Sequence, residues 1–376
     1  MKKCVIIPDS FKGTMSASEV CDIMKESVLK AFPECEIITV PVADGGEGTV
    51  DCFIRAFDSS EKINIKTKGP HFEQIDSFFG KIGDLGVIEM AASAGLSLAG
   101  GEPSPDKTTT YGVGELISAA IEKGCKKIIL GLGGSCTNDG GTGMAAALGV
   151  KFYDKDGGSF IPVGGTLEKI ARIDVSEAKN KLAQIDITAI CDIDNPLFGE
   201  RGAAYVFAPQ KGANPQMVKI LDDNLRSFSE AVKNSLEIDV SLIPGAGAAG
   251  GMGAGACAFI GAGLKRGIDV VLDAVRFEQI IKNCDCVFTG EGRLDAQSLS
   301  GKAVIGISRR AKRCGVPVIA VVGAFEGNKE EMESEGISQI VEVGTGRNSF
   351  DEIKKYCRAD LKSAMEAICA KPFIKF

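Results

Sequence analysis

The 376-residue sequence has no tryptophan and a single histidine, His71, and aromatic residues make up 6% of it. One histidine, set beside Pro70 in a predicted turn, leaves no material for a His-based triad or a His-rich metal centre. The 13 cysteines are scattered, no C-x-x-C spacing occurs, and only Cys284 and Cys286 stand close together. That pattern predicts reduced cytosolic thiols that pack as small apolar residues, not a disulfide framework or a catalytic thiol. Basic blocks are missing and the net charge is −7, which argues against nucleic acid or an anionic membrane surface as main partner. No run approaches the roughly 18 apolar residues of a membrane span. Lys2 and Lys3 precede an apolar stretch as in a signal peptide, but Asp9 ends it well short of the roughly 7–15 residues required. A soluble, cytoplasmic protein is expected. A P-loop is absent too, because Gly301-Lys302 is followed by Ala303 and no glycine stands five before Gly301.

Glycine is what the chain has in quantity, 47 residues, and it collects in loops. The densest stretch is Gly131-Leu132-Gly133-Gly134-Ser135-Cys136-Thr137-Asn138-Asp139-Gly140-Gly141-Thr142-Gly143. The apolar run Ile128-Ile129-Leu130 leads in and the small-residue helix Met144 to Leu148 leads out. This reads as strand, tight loop and helix N-terminus, an arrangement that suits an anion.

In chain order, Cys4 to Ile7 reads as a strand with the loop Asp9-Ser10-Phe11-Lys12-Gly13, then a helix with a Ser16/Glu19 capping box. A second strand, Ile37 to Val42, runs into Ala43-Asp44-Gly45-Gly46-Glu47-Gly48 and another helix. Lys62 to Lys68 and Asp76 to Lys81 alternate apolar and polar, as an antiparallel pair does. A helix is expected from Gly112 to Lys123, stopped by Gly124, then the strand Lys127 to Leu132. The strand Asp186 to Cys191 ends in Asp192-Ile193-Asp194-Asn195-Pro196, and a long amphipathic helix carries Met217 to Val232. After the run Pro244 to Gly255, the α/β alternation returns with a strand at Cys286 to Thr289 and the loop Gly290-Glu291-Gly292-Arg293-Leu294-Asp295. The length favours two domains. The expectation is a two-domain α/β protein. Residues 1–60 and 284–376 would form a Rossmann/flavodoxin-like parallel-sheet domain, and residues 61–283 an inserted α/β domain of mixed sheet with glycine-rich loops.

Ligands of open α/β sheets sit outside the carboxyl ends of the strands. The strand-end loops carry Asp9 and Lys12, Asp44 and Glu47, Asn138 and Asp139, Asp192 and Asp194, and Glu291, Arg293 and Asp295. Glycines with an acid in each loop, and a cation in two, suit a Mg²⁺–phosphate substrate. Each loop alone also reads as turn formers, N-caps or surface pairs, so the chemical case rests on their convergence. Gly245, Gly247 and Gly250 spell G-x-G-x-x-G with Asp269 about 20 residues on, so an NAD-dependent dehydrogenase is the alternative from another class. The same run reads equally as a phosphate cradle or as small residues that let a helix pack closely.

Several segments together resemble the type 1 glycerate kinases. They are Pro8 to Gly13, Val42 to Thr49, Thr109 to Glu115, Gly133 to Gly141, Pro209-Gln210-Lys211-Gly212-Ala213, Pro244 to Gly255 and Thr289 to Asp295. The resemblance spans about residues 3 to 325; Cys136 replaces an expected alanine, and the stretch after Gly344 lies outside it. It implies phosphorylation of D-glycerate by ATP with Mg²⁺, at the 2-hydroxyl in bacterial members, in a cleft between two α/β domains. A kinase forming 3-phosphoglycerate is the alternative. The expected substrates are the small molecules D-glycerate and ATP, and a homodimer stays an open expectation. On this reading Asp192, Lys12, Asp44 and Arg293 are the catalytic candidates, with Asp192 and Asp44 alternatives for base or Mg²⁺ ligand. Asp9, Ser10, Arg293 and Asp295 would bind glycerate. Gly133, Gly134, Ser135, Asn138, Asp139, Gly245, Gly247, Gly250, Gly251 and Glu291 would bind the nucleotide.

Overall fold

The computed structural model describes residues 1–42, 45–57, 59–101, 104–295, 298–299, 302–344, 346–347 and 349–370. Its strands in chain order are β1 (Lys3–Ile6), β2 (Glu36–Thr39), β3 (Ser60–Lys68), β4 (Gln74–Ile82), β5 (Leu85–Glu89), β6 (Lys127–Gly131), β7 (Lys151–Tyr153), β8 (Ser159–Phe160), β9 (Arg172–Asp174), β10 (Asp186–Ile190), β11 (Gly263–Lys265), β12 (Cys286–Asp295), β13 (Val318–Glu326) and β14 (Ile337–Glu342). The chain divides into two compact units, Met1–Ala43 with Gly267–Phe376, and Asp44–Arg266. The crossings thus fall at 43/44 and 266/267, not at the 60/61 and 283/284 read from the sequence. The reason is packing: the helix Thr49–Ala56 lies on β4 and β5, and the helix Gly267–Ala274 lies on the helix Ala303–Arg313.

The first unit holds an all-parallel sheet in the order β14-β13-β12-β1-β2. Counted within the unit, this is the flavodoxin-like order, whose topological switch point lies between the first and third strands, here β1 and β12. Apolar strand residues are buried on both faces, as a covered parallel sheet requires. Cys4, Ile6, Phe288 and Val321 pack with Val20, Met24, Leu361 and Met365 on one face; Val304, Ile305, Ala320, Val322 and Met332 pack on the other. The predicted cap is present: Glu19 N donates to Ser16 Oγ at 3.2 Å to open the helix Ala17–Ala31.

The second unit has a mixed sheet, β11-β10-β6-β5-β4-β3. Its first four strands are parallel, and β4 and β3 add as the antiparallel pair that the alternation predicted. A three-stranded sheet, β8-β7-β9, was not anticipated. Gly131 is the register partner of both Glu89 and Ile190, at the carboxyl ends of β6, β5 and β10. The loops that follow therefore leave the sheet at one edge.

One local expectation is overturned. The segment 290–295, read as a loop, continues β12, and Glu291, Arg293, Leu294 and Asp295 pair with β13 as far as Glu326. The glycines that suggested a loop allow close strand packing instead: a Cβ on Gly290 would lie 2.2 Å from the Val321 carbonyl oxygen.

Candidate active site

In the first unit the expected residues meet at the switch point. Asp9 N donates to Gly290 O at 2.8 Å, and Ser10 N donates to Asp9 Oδ1 at 2.6 Å. Lys12 N sits 3.5 Å from the place a Cβ on Gly292 would occupy. Glu291 points inward, 6% exposed, and its Oε1 has no hydrogen-bond partner among the described residues. Burial pushes its carboxyl up to about 7, with Lys302 opposing the shift and Asp9 and Asp295 adding to it. Arg293 is exposed and paired with Glu326, with Asp295 4.0 Å away, and Lys302 Nζ lies 3.4 Å from Asp295 Oδ1. Asp9, Lys12, Glu291, Arg293 and Asp295 therefore surround one strand-end site. Among them Glu291, expected beside the nucleotide, is the one carboxyl that is both buried and raised in proton affinity.

In the second unit four glycine-bearing loops are laced together by their backbones. Gly133 N donates to Gly45 O at 2.9 Å, Gly140 N to Gly250 O at 3.0 Å and Gly247 N to Asn195 O at 3.1 Å. Exposed Glu47 joins this edge by accepting from Ser97 Oγ at 3.1 Å. Asp192 is exposed in the loop after β10, and Asp194 lies 3.8 Å from Arg201. Asp44, expected as base or metal ligand, lies outside the described residues. Among the described residues no three His, Cys, Asp or Glu side chains converge as a metal cage.

Asp139, expected beside the nucleotide, is tied into the loop itself. It is fully buried; its Oδ2 accepts from Thr110 N (2.8 Å), Thr110 Oγ1 (2.9 Å) and Gly143 N (3.2 Å), and its Oδ1 from Gly141 N (3.1 Å). Burial raises its carboxyl and those four bonds oppose the rise. A buried carboxylate bonded in this way clamps the loop to the start of the helix Tyr111–Glu122.

The Gly245 to Gly255 run also resolves toward packing. A Cβ would lie 2.2 Å from Pro196 O at Gly247, 2.0 Å from Thr137 O at Gly250, and 2.2 Å from Gly140 O at Gly255. Ala249, Gly250 and Gly251 are all left-handed, with φ of 53°, 69° and 87°. These glycines exist so that one loop can lie against another, and Gly251, with its would-be Cβ 3.0 Å from Gly140 Cα, belongs with them. The element before the run is the single turn Val240–Leu242, not the strand that a dinucleotide fingerprint needs, so the dehydrogenase alternative falls.

A residue given no role in the sequence reading stands out. Lys211 is 2% exposed, and its ammonium donates to Ser135 Oγ at 2.7 Å and Thr137 O at 2.8 Å. Burial pushes its pKa down to about 8, and Asp139 pulls the other way. Close by, Thr137 Oγ1 and both amide atoms of Asn138 are buried without partners among the described residues. Each such orphan costs about 1–3 kcal/mol, so this loop holds polarity that the fold alone does not use. Its only sequence signal was the Pro209-Gln210-Lys211-Gly212 motif.

Fold and site together define an α/β enzyme whose polar loops gather at the carboxyl ends of parallel strands. Comparison with known proteins sharpens this. The model of the glycerate kinase family matches residues 4–371, well past the residue 325 at which the resemblance was expected to end. A glycerate kinase of Bacillus cereus is 43% identical over 371 residues, covering 98% of this chain and 97% of its own. A glycerate 2-kinase of Escherichia coli is 44% identical over 353 residues, covering 93% and 92%. A crystal structure assigned to glycerate kinase 2 of Salmonella typhimurium LT2 superposes with a TM-score of 0.86 at 38% identity, covering 98% of this chain and 97% of that one. The chain belongs to the glycerate kinase family. It is a kinase acting on small-molecule substrates, and no described helix is long and apolar enough to cross a membrane.

Proposed function

We propose that this kinase transfers the γ-phosphoryl group of ATP to the 2-hydroxyl of D-glycerate, giving 2-phosphoglycerate and ADP in the cytoplasm. The observation that carries the reading is its likeness to the Escherichia coli glycerate 2-kinase along nearly the whole of both chains. Glycerate places a carboxylate beside its accepting hydroxyl, so a cation must hold it. Lys12 and Arg293 flank the β1/β12 switch point, with Asp9, Ser10 and Asp295 beside them to accept or donate to hydroxyls. Arg293 can exchange its exposed partner Glu326 for a substrate carboxylate at little cost, since exposed pairs are worth about 0–1 kcal/mol.

Phosphoryl transfer needs chiefly positioning, charge neutralisation and a carboxylate to accept the hydroxyl proton. Glu291 fits that last role, because a base is most effective when its proton affinity matches the working pH. The Gly133 to Asn138 loop would receive an anionic group. Mg²⁺ in such sites is held by one or two carboxylates plus substrate phosphates, not by an all-protein cage. Exposed Asp192 at the end of β10 suits such a ligand, and a bound Mg²⁺ would neutralise charge on the transferring phosphate. The test is to supply D-glycerate and ATP and add purified enolase without a mutase. Immediate formation of phosphoenolpyruvate supports the 2-phosphate product; its absence, with ADP formed, means the 3-phosphate.

A further inference from the structure

We propose that Lys211 is a positioning residue that turns the Gly133–Asn138 loop into an oxyanion subsite by holding Ser135 Oγ as an outward hydrogen-bond donor. An ammonium has three protons and no lone pair, so at 2.7 Å Ser135 Oγ must accept from it. The hydroxyl's own proton then has to go elsewhere, and no acceptor takes it among the described residues. Donation from a charged group also polarises that O–H and strengthens it as a donor. Ser135 is 7% exposed and Lys211 2%, so the serine lies nearer solvent than the lysine that holds it. The lysine therefore acts through the serine and does not touch the ligand.

Two independent observations point to a missing anion. No carboxylate stands within ion-pair distance of Lys211 among the described residues; the titratable groups that face it are Asp139, which accepts from Thr110, Gly141 and Gly143, and the Cys136 thiol. Burial lifts that thiol to about 11, so it is neutral at ordinary pH. The second observation is the pair of orphaned donors in the same loop, Thr137 Oγ1 and Asn138 Nδ2. The amides of Ser135, Thr137 and Asn138 likewise donate to no group among the described residues. A buried cation with no ion-paired carboxylate among the described residues, under a loop with unspent donors, is the electrostatic half of an anion site.

The inference rests on the glycerate kinase reading for the identity of the anion, either the carboxylate of D-glycerate or a phosphate of ATP. Calorimetric titration of the full chain with each, and with inorganic phosphate, separates them. Lys211→Met and Ser135→Ala are expected to weaken one of the two ligands roughly 10- to 100-fold, the loss of a charge-assisted hydrogen bond, and to leave the other unchanged. A phosphate source also shows in the inorganic phosphate arm. Wild-type affinity for that ligand should fall as pH rises above about 8, where the lysine loses its proton, and level off near that of Lys211→Met, which should be flat there. Lys211→Met should also keep or raise the Tm, because it removes a charge that folding buries. Affinities within twofold of wild type for both ligands overturn the inference, whatever the Tm. Weakened binding in both variants, with a wild-type protein that fails to turn over D-glycerate, would leave the inference standing and remove the proposed reaction.

Discussion

Glu291 offers a prediction in which stability and catalysis move in opposite directions. Its ordinary carboxyl pKa of 4.5 is lifted to about 7 by burial. At about 1.4 kcal/mol per pH unit, ionising it in the folded state costs about 3 kcal/mol. The direction follows from proton counting. Between pH 4.5 and 7 the folded chain holds a proton on Glu291 that the unfolded chain has released, so stability falls as pH rises through that window. Glu291→Gln removes the titration. Its unfolding free energy relative to wild type should be level near pH 4, climb through pH 5 to 7, and plateau about 3 kcal/mol higher above pH 8. Any fixed cost of the amide adds a constant and leaves the slope intact. Urea unfolding followed by circular dichroism across that range reads it, a suitable probe for a chain without tryptophan. In parallel, wild-type kcat/KM should fall below about pH 7 as the base is protonated, and the variant should lose about 10²–10⁴ in rate. A stability difference that is the same at pH 4 and pH 8 refutes the buried-carboxylate argument, and near-normal turnover refutes the base.

Other expectations follow from individual contacts. Asp139→Ala strands four donors at about 1–3 kcal/mol each, so stability should drop by at least about 4 kcal/mol in thermal or urea unfolding; a Tm within 2 °C of wild type would show that the clamp is dispensable. Gly250→Ala places a methyl 2.0 Å from Thr137 O at a φ of +69°. Left-handed strain of about 1–2 kcal/mol and overpacking of about 1–3 kcal/mol should together lower stability by about 2–5 kcal/mol, and a neutral substitution would reopen the phosphate-cradle reading. Asp192→Asn and Lys12→Ala should each cut kcat by about 10²–10³ at unchanged Tm, measured by coupled ADP release; retained activity removes the residue concerned from the mechanism.

Much of the architecture was legible because its signals are local. The Ser16 cap, the alternating hairpin of β3 and β4, and Gly124 with φ +87° at the end of the helix Tyr111–Glu122 each depend on neighbours in sequence. The flavodoxin-like half followed from repeated strand–loop–helix units. What escaped depends on distant chain. Glycines at 290 and 292 look like a loop until β13 is seen to lie against them. Asp139 looks like a ligand until Thr110, remote in sequence, supplies its donors. Lys211 stands in a motif of the resemblance, but nothing near it in sequence foretells burial under Ser135. The glycines of 245–255 were recognised as important, but spacing cannot tell a cradle from a contact between two backbones.

The nesting of one unit inside the other also sets an order of events. Ile7, just after β1, accepts from Thr289 in β12 across a separation of 282 residues, whereas β2 arrives within a few dozen. At a synthesis rate of about 5–20 residues per second, β1 waits roughly 15–60 s for the strand that completes its far side. Throughout that interval the whole Asp44–Arg266 segment emerges with every strand of its own sheet. The first part of the chain to be made is therefore among the last to be finished, and through that interval the nascent half-sheet keeps one bare edge open to misassociation.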